Sequence, residues 1–166
     1  MANQGKAQRF DPYRNFKFKV KIDNEIVAGL SKMSAMKKTT EGIDWFEAGD
    51  NFNPRRLPGK TKYEAITLEK GMTEDKVFEN WANLVNNIQG NAAMSLVNFR
   101  KDIILNVLNL QGTVAISYKV KRAWVSEYQA LPDFDAGTTN SVGIQTIKLE
   151  HEGWDRDEAV AEPAES

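Results

Sequence analysis

The stretch Gly49-Asp-Asn-Phe-Asn-Pro-Arg-Arg-Leu-Pro-Gly-Lys-Thr-Lys-Tyr-Glu-Ala-Ile-Thr-Leu-Glu-Lys-Gly71 changes character half way along. Its first half is crowded with turn formers. Pro54 and Pro58 lack the N–H that a ladder needs and hold φ near −65°, while Gly49 and Gly59 permit turns. Arg55-Arg56 adds charge with no acidic residue beside it in the sequence. From Tyr63 to Glu69 the pattern becomes that of a strand, with Ile66 and Leu68 on one face and Thr67 and Glu69 on the other. The reading is an irregular arm, Gly49 to Lys60, set between two strands; a segment of this length without secondary structure is usually functional or disordered. Such an arm is expected to be ordered from outside the subunit, with Asp50, Asn51, Phe52, Arg55, Arg56 and Leu57 as its contacts.

Upstream of it, Phe16, Phe18, Val20 and Ile22 alternate with Lys17, Lys19 and Lys21, the period of a strand with one buried face. Asp23-Asn24 turns the chain, and extended patterns continue through Ile26-Val27 and from Ser34 to Phe46. Downstream, Val77, Phe78, Trp81, Leu84, Val85 and Ile88 fall on one side of a helix, with Thr73 as the expected N-cap and Gly90 as the stop. Burying those six side chains contributes roughly 1.5–3 kcal/mol each, against about 1–2 kcal/mol of backbone entropy for every residue ordered. The helix is therefore expected to lie on a β-layer. Ile103 to Leu108 and Thr113 to Val125 predict a hairpin around Asn109-Leu-Gln-Gly112. In its second strand Val114, Ile116, Tyr118, Val120 and Trp124 share one face, and Ser117, Lys119 and Lys121 the other. A loop, Leu131 to Gly137, precedes a last strand, Val142 to Glu150. Residues 1–154 read as one domain with an arm at 1–12, and 155–166 as an acidic, disordered tail. There is no internal repeat.

The chain has 166 residues and 23 acidic against 22 basic side chains, a net charge of −1, which lacks the positive excess of a general nucleic-acid binder. The sign is uneven, basic at the start (Lys6, Arg9, Arg14, Lys17, Lys19, Lys21) and acidic at the end (Asp155, Asp157, Glu158, Glu162, Glu165). With no cysteine, disulfides, thiolate metal sites and thiol nucleophiles are excluded. No apolar run approaches the roughly 20 residues that cross a bilayer, and Met1 to Tyr13 lacks a secretory h-region. Synthesis in the cytoplasm, without a signal peptide or membrane insertion of the monomer, is the expectation.

The residues that could carry chemistry do not converge. His151 is the single histidine, which rules out a histidine-built metal centre and leaves it a structural or exposed role. The pairs Asp133/Asp135 and Glu150/Glu152 have the spacing of ordinary surface carboxylates. Neither Gly-x-x-x-x-Gly-Lys-[Ser/Thr] nor Gly-x-Gly-x-x-Gly occurs. Lys17, Lys19 and Lys21 fit a solvated strand face, or charges that keep an edge strand from pairing with strangers, better than a phosphate site. Asn80, Asn83, Asn86 and Asn87 make a polar helix face from poor helix formers, open to partner contact or to solvent. No catalytic residue, metal or cofactor is expected.

Taken in order, Asp11-Pro-Tyr-Arg-Asn-Phe-Lys-Phe-Lys-Val20, the Gly49 to Gly71 block, Trp81, Arg100-Lys-Asp-Ile103, Ala123-Trp124, Asp133-Phe-Asp-Ala136 and Leu149-Glu-His-Glu-Gly153 resemble the tail tube proteins of contractile-tailed phages and related injection particles, across Asp11 to Trp154. The resemblance implies a mainly β (α+β) subunit, a small β-barrel or two-layer β-sandwich with one packed helix, without catalysis. It implies a homo-hexameric ring stacked into a hollow tail tube, enclosed by a sheath protein. The other implied partners are baseplate hub, tape-measure and tube-terminating proteins, with DNA passing through the lumen unbound; the alternatives are the tube of an extracellular contractile particle or of a secretion system, carrying protein. A hydrolase or binding module on a β-sandwich is the competing reading from another class.

That picture agrees with the residues. Six half-open subunits joined into one barrel lose their exposed strand edges, and stacking, a heterologous contact that does not close, gives a filament. The arm then reaches the neighbouring ring or subunit. Glu79, Asn80, Asn83, Asn86 and Asn87 face the sheath. Thr39, Glu41, Thr67 and Glu69 line a neutral or acidic lumen that does not hold a polyanion, or else face outside solvent.

Overall fold

The computed structural model describes residues 17–27, 29–49, 53–85, 98–137 and 142–160. The arm at 1–12, Asp50 to Phe52, Asn86, Asn87, Ile88, Gly90 and the tail from 161 lie outside the described residues.

Among the described residues, ten strands and one helix are formed by patterns that the sequence displays: β1 (Phe18–Ile22), β2 (Glu25–Ile26), β3 (Leu30–Met33), β4 (Lys38–Trp45), β5 (Arg55–Tyr63), β6 (Ile66–Gly71), α1 (Val77–Val85), β7 (Lys101–Leu108), β8 (Val114–Gln129), β9 (Ile144–Glu150) and β10 (Trp154–Arg156). All pairings are antiparallel, and the main sheet has the order β2-β1-β7-β8-β9-β6-β3, with β10 also on β8. β1 and β2 meet through Asp23 and Asn24 at φ 51° and 65°, the left-handed pair that a two-residue type I′ turn requires.

β2 and β3 end the sheet at opposite edges, yet only residues 27–29 separate them in the chain. The sheet must therefore curl until its ends are close. Val27 N donates to Val20 O (2.9 Å) and Gly71 N to Gly29 O (3.2 Å), fixing the junction. Inside the curl lie Val20, Ile22, Ile66, Leu68, Ile103, Leu105, Val120, Val125, Ile147 and Leu149, capped by Phe78 and Trp81 of α1. The result is a mainly β subunit with one packed helix, its sheet rolled but not closed into a barrel.

Strand β8 makes the curl. Ile103 pairs with Val120 but Lys101 with Ala123, so Lys121 and Arg122 together oppose Asp102. Arg122 takes φ 51° and its N–H donates to the Asp102 carboxylate at 3.0 Å. An extra residue inverts strand parity and sharpens the bend. This corrects the expected single face along β8: Val120 faces the core, but beyond the bulge Ala123 and Val125 do so, and Trp124 turns to the other side, half-buried. Ser117, expected among exposed lysines, is buried opposite buried Asn106.

Helix α1 packs against β8, with the Trp81 indole N–H donating to Phe99 O at 2.8 Å. The expected cap at Thr73 is one relay removed. Thr73 Oγ1 accepts from Asp75 N (3.3 Å), and Asp75 Oδ1 accepts from Val77 N (3.1 Å), the first helical residue. Asp75 also pairs with the fully buried Lys70 ammonium at 3.4 Å, which lies 4.9 Å from the Phe78 ring. A buried cation without such a partner would be costly, so this contact sets where the helix starts. At the other end of the chain, order continues past Trp154. β10 reaches Arg156 on β8, and Asp157 N donates to Ser117 O at 2.8 Å, because its acidic residues find lysines there, Asp155 pairing with Lys121.

Candidate functional site

The segment read as an irregular arm is largely a strand. β4 and β5 form a separate two-stranded sheet, Lys38↔Tyr63 to Trp45↔Arg55, hydrogen-bonded to no other strand among the described residues. Both prolines fit for a physical reason. Pro54 precedes β5, and Pro58 sits opposite Gly42 at a bulge, in a ribbon whose outer edges are free, where a missing N–H costs nothing. The arginines are not unpaired either. Arg56 Nε lies 3.2 Å from Asp44 across the ribbon and Arg55 3.6 Å from Glu47; the sequence conceals this because the partners belong to the other strand.

Register divides the distal half of the hairpin into two faces. Ile43 stands opposite Leu57 and Trp45 opposite Arg55, so three large apolar side chains share one face. A Cβ on Gly59 would lie 3.0 Å from the Ile43 side chain, so glycine leaves room for Ile43 to lie flat. The reverse face carries the Asp44–Arg56 pair. Ile43, Trp45 and Leu57 are 53, 49 and 49% exposed, and Phe46 beyond them 65%. A contiguous exposed apolar surface of this kind marks an interaction site, and a two-stranded hairpin alone is marginally stable in water.

The base of the hairpin is held by residues distant in sequence. The Tyr63 ring meets Trp154 edge-on at 5.0 Å and His151 at 5.8 Å. His151 Nδ1 accepts from Gly153 N at 3.1 Å, and Nε2 lies 2.9 Å from Glu64 O, an arrangement satisfied by a neutral ring protonated on Nε2. Gly153 takes φ 125°, and a Cβ there would be 3.0 Å from the Tyr63 ring. The single histidine is therefore a structural clasp between hairpin and body. In the sequence Tyr63 stands in a different motif from His151 and Trp154; their convergence is a property of the topology.

The other expected site residues separate. Glu79, Asn80 and Asn83 are exposed on α1, with Glu79 beside Tyr128, whose hydroxyl is pushed up by burial and then by that carboxylate. Thr67 and Glu69 are half-buried on the outward face of β6. Their cross-strand neighbours are Lys148 and Thr146 on β9 and, for Glu69, Lys32 on β3. That face is thus of mixed charge and not the neutral or acidic one expected. Thr39 and Glu41 lie on the hairpin, Thr39 opposite Lys62 and Glu41 at the bulge, and no ladder joins them to Thr67 and Glu69. Among the described residues no cluster of three or more His, Cys, Asp or Glu is arranged to hold a metal.

Residues 14–155 match the family described as T4-like virus tail tube protein gp19, and the chain belongs to that family of structural tube proteins. Its fold is similar to that of a chain in the cryo-EM structure of the anti-feeding prophage tube terminating cap, with TM-score 0.75, 25% identity and coverage of 95% of this chain and 99% of that one. A chain of the sheath-tube complex of an extracellular contractile injection system, PVC, gives TM-score 0.71 at 23% identity, covering 88% and 91%. Hcp1 from Flavobacterium johnsoniae shares the fold at TM-score 0.53 and 15% identity, covering 85% and 94%. No curated protein sequence matches.

Replacing His151 by phenylalanine keeps a ring beside Tyr63 and Trp154 but leaves the Gly153 N–H and the Glu64 carbonyl without their partner. The expected loss is about 1–3 kcal/mol, read in urea unfolding, with faster proteolysis within 38–63. An unchanged midpoint and cleavage pattern would show that the clasp contributes nothing.

Proposed function

We propose that this chain is the tube subunit of a contractile tail, assembled as hexameric rings that stack into a hollow conduit, with the β4–β5 hairpin of each subunit packed on a neighbouring ring or subunit. The observation that carries this is the unpaired hairpin with Ile43, Trp45 and Leu57 exposed on one face. A surface of this kind is a liability in a monomer and an asset in an obligate assembly. Arg55, Arg56 and Leu57 belong to that interface, and Asp50, Asn51 and Phe52, outside the described residues, are assigned to it from the sequence alone. The family assignment supports a phage tail tube delivering DNA. A second reading, a tube that passes protein cargo in an extracellular contractile particle, draws on the similarity to the anti-feeding prophage and PVC chains. In either, sheath, baseplate hub, tape-measure and terminating proteins are the partners, and the particle is where the protein resides.

Placing the hairpin between copies assigns the remaining faces. The exposed side of α1, with Glu79, Asn80 and Asn83, is turned to the sheath, Asn87 being added to that face from the sequence alone, and the outward face of β6, with Thr67 and Glu69, to the lumen. Thr39 and Glu41 go with the hairpin. Alternating Glu69, Lys148, Lys32 and Glu127 gives such a lumen no continuous positive track on which a polyanion would stall.

Exchanging residues 41–60 for a short Gly/Ser linker is expected to leave a folded subunit by circular dichroism and to abolish tubes in negative-stain images. Long tubes from that variant would refute the hairpin's role. Single cysteines, introduced into a chain that has none, test the faces in assembled, sheathless tubes. Thr67→Cys and Glu69→Cys are expected to react with a small maleimide but not with a bulky polymer maleimide, and Asn83→Cys with both. Rapid bulky labelling at 67 and 69 along intact tubes would place β6 outside.

A further inference from the structure

The outward faces of β1, β7 and β8 and the turn after β1 enclose a cleft of about 400 Å³. Its wall holds Lys21, Arg100, Lys101 and Lys119 against two carboxylates, Asp23 and Asp102. The carboxylates are already engaged: Asp23 pairs with Lys101 at 2.5 Å and Asp102 with Lys119 at 3.5 Å. Lys21 and Arg100 form no ion pair among the described residues. The Arg100 guanidinium carbon lies 4.4 Å from the Phe99 ring centroid and the side chain is exposed; a guanidinium accepts an aromatic ring as well as a carboxylate.

The same chain carries a complementary feature elsewhere. Between β8 and β9, Asp133-Phe134-Asp135 projects with Phe134 71% exposed and Leu131 59% exposed. Asp135 Oδ1 accepts from Gly137 N at 2.9 Å, which fixes the loop's shape. Asp133 has no ion pair among the described residues. The loop does not line its own cleft. Lys119 and Gln129 are ten positions apart on β8, roughly 30 Å of strand at about 3.3 Å per residue, so a loop beyond Gln129 stands well away from it.

We propose that the Leu131–Gly137 loop of one copy docks in the Lys21/Arg100 cleft of another, Phe134 on the Arg100 guanidinium and Asp133 toward the Lys21 ammonium. The inference rests on the reading of the chain as a self-assembling tube subunit and supplies a contact separate from the hairpin. Loop and cleft are different surfaces, so the contact is heterologous and propagates around a ring or along a stack. A second copy is favoured over nucleic acid because Asp23 and Asp102 cancel half of the cleft's positive charge. They repel a phosphate chain, whereas a short loop with one aromatic between two carboxylates needs only the two free cations.

The test compares the full-length protein with Lys21→Glu, Asp133→Arg and the double charge swap of that pair, by sedimentation velocity over a concentration series and negative-stain microscopy, with circular dichroism as a check on folding. Each single variant is expected to need about tenfold or more protein to assemble at low salt, less of an excess at high salt, and the swap to recover most of the loss. Arg100→Glu serves as an independent cleft variant with the same expected direction. Single variants that assemble like wild type, or a swap no better than its parents, would overturn the contact while leaving the tube reading intact. A wild type that stays monomeric at every concentration would overturn both. If Arg100→Glu instead loses binding to a short DNA duplex and assembles normally, the cleft is a polyanion site and the proposal is wrong.

Discussion

A two-stranded ribbon has no second layer, so Ile43, Trp45 and Leu57 cannot be buried within the subunit that makes them. Cross-strand register puts all three on one face, and the Asp44–Arg56 pair occupies the reverse. Each of the three is only about half exposed, so each forgoes about half of the roughly 1.5–3 kcal/mol that full burial contributes, and for the three together this is a sizeable fraction of a small domain's net stability. In the proposed assembly that free energy is recovered against a neighbouring copy. The clasp of Tyr63, His151, Gly153 and Trp154 follows from the same constraint. A ribbon that reaches for a neighbour needs a base that keeps its direction.

The rolled sheet supplies that base. One extra residue at Lys121–Arg122 inverts β8, and β9 and β10 bend with it on the other side, where Glu152 N donates to Lys121 O and Lys121 N to Gly153 O. The bend that curls the sheet is therefore also what brings His151 and Gly153 beneath Tyr63. Core formation and hairpin placement are two results of one bulge. The sheet stays unclosed because its terminal strands, β2 and β3, are short and irregular, β2 with two residues and β3 with a register shift. Short irregular edges protect a monomer from random pairing, and six subunits joined edge to edge would remove them.

Much of this was legible in the sequence wherever period decides the outcome. The Phe18/Val20/Ile22 alternation, Ile66 and Leu68, the α1 stripe from Val77 to Val85 and the β7–β8 hairpin all appear as read, because side-chain period and burial are local properties. The failures share a different cause. Pro58 and Gly59 signal a loop to any local reading, and only pairing with Glu41 and Gly42 shows a bulged strand. Arg55 and Arg56 seem unpaired because Glu47 and Asp44 are brought to them by an antiparallel turn. Trp124 was placed on the wrong face because Arg122, a residue with no local preference for positive φ, absorbs a bulge dictated by Asp102. Residues 155–157 read as the start of a disordered acidic segment until Lys119 and Lys121 on β8 are seen beside Asp155. Among the expected site residues, exposure of Glu79, Asn80 and Asn83 follows from helical period alone. The mixed charge around Thr67 and Glu69 comes from strands distant in sequence and could not be read in advance.

The central claim is that the hairpin is completed by another copy of the chain. Hydrogen–deuterium exchange of residues 38–63, measured on dissociated subunits and on assembled tubes, tests it most directly, since exchange reports local opening free energy segment by segment. The expected result is protection of 43–45 and 55–57 that rises by about a hundredfold or more on assembly, while β7 and the first half of β8, slow in both states, hardly change. Equal exchange of the hairpin in subunits and tubes would contradict the account.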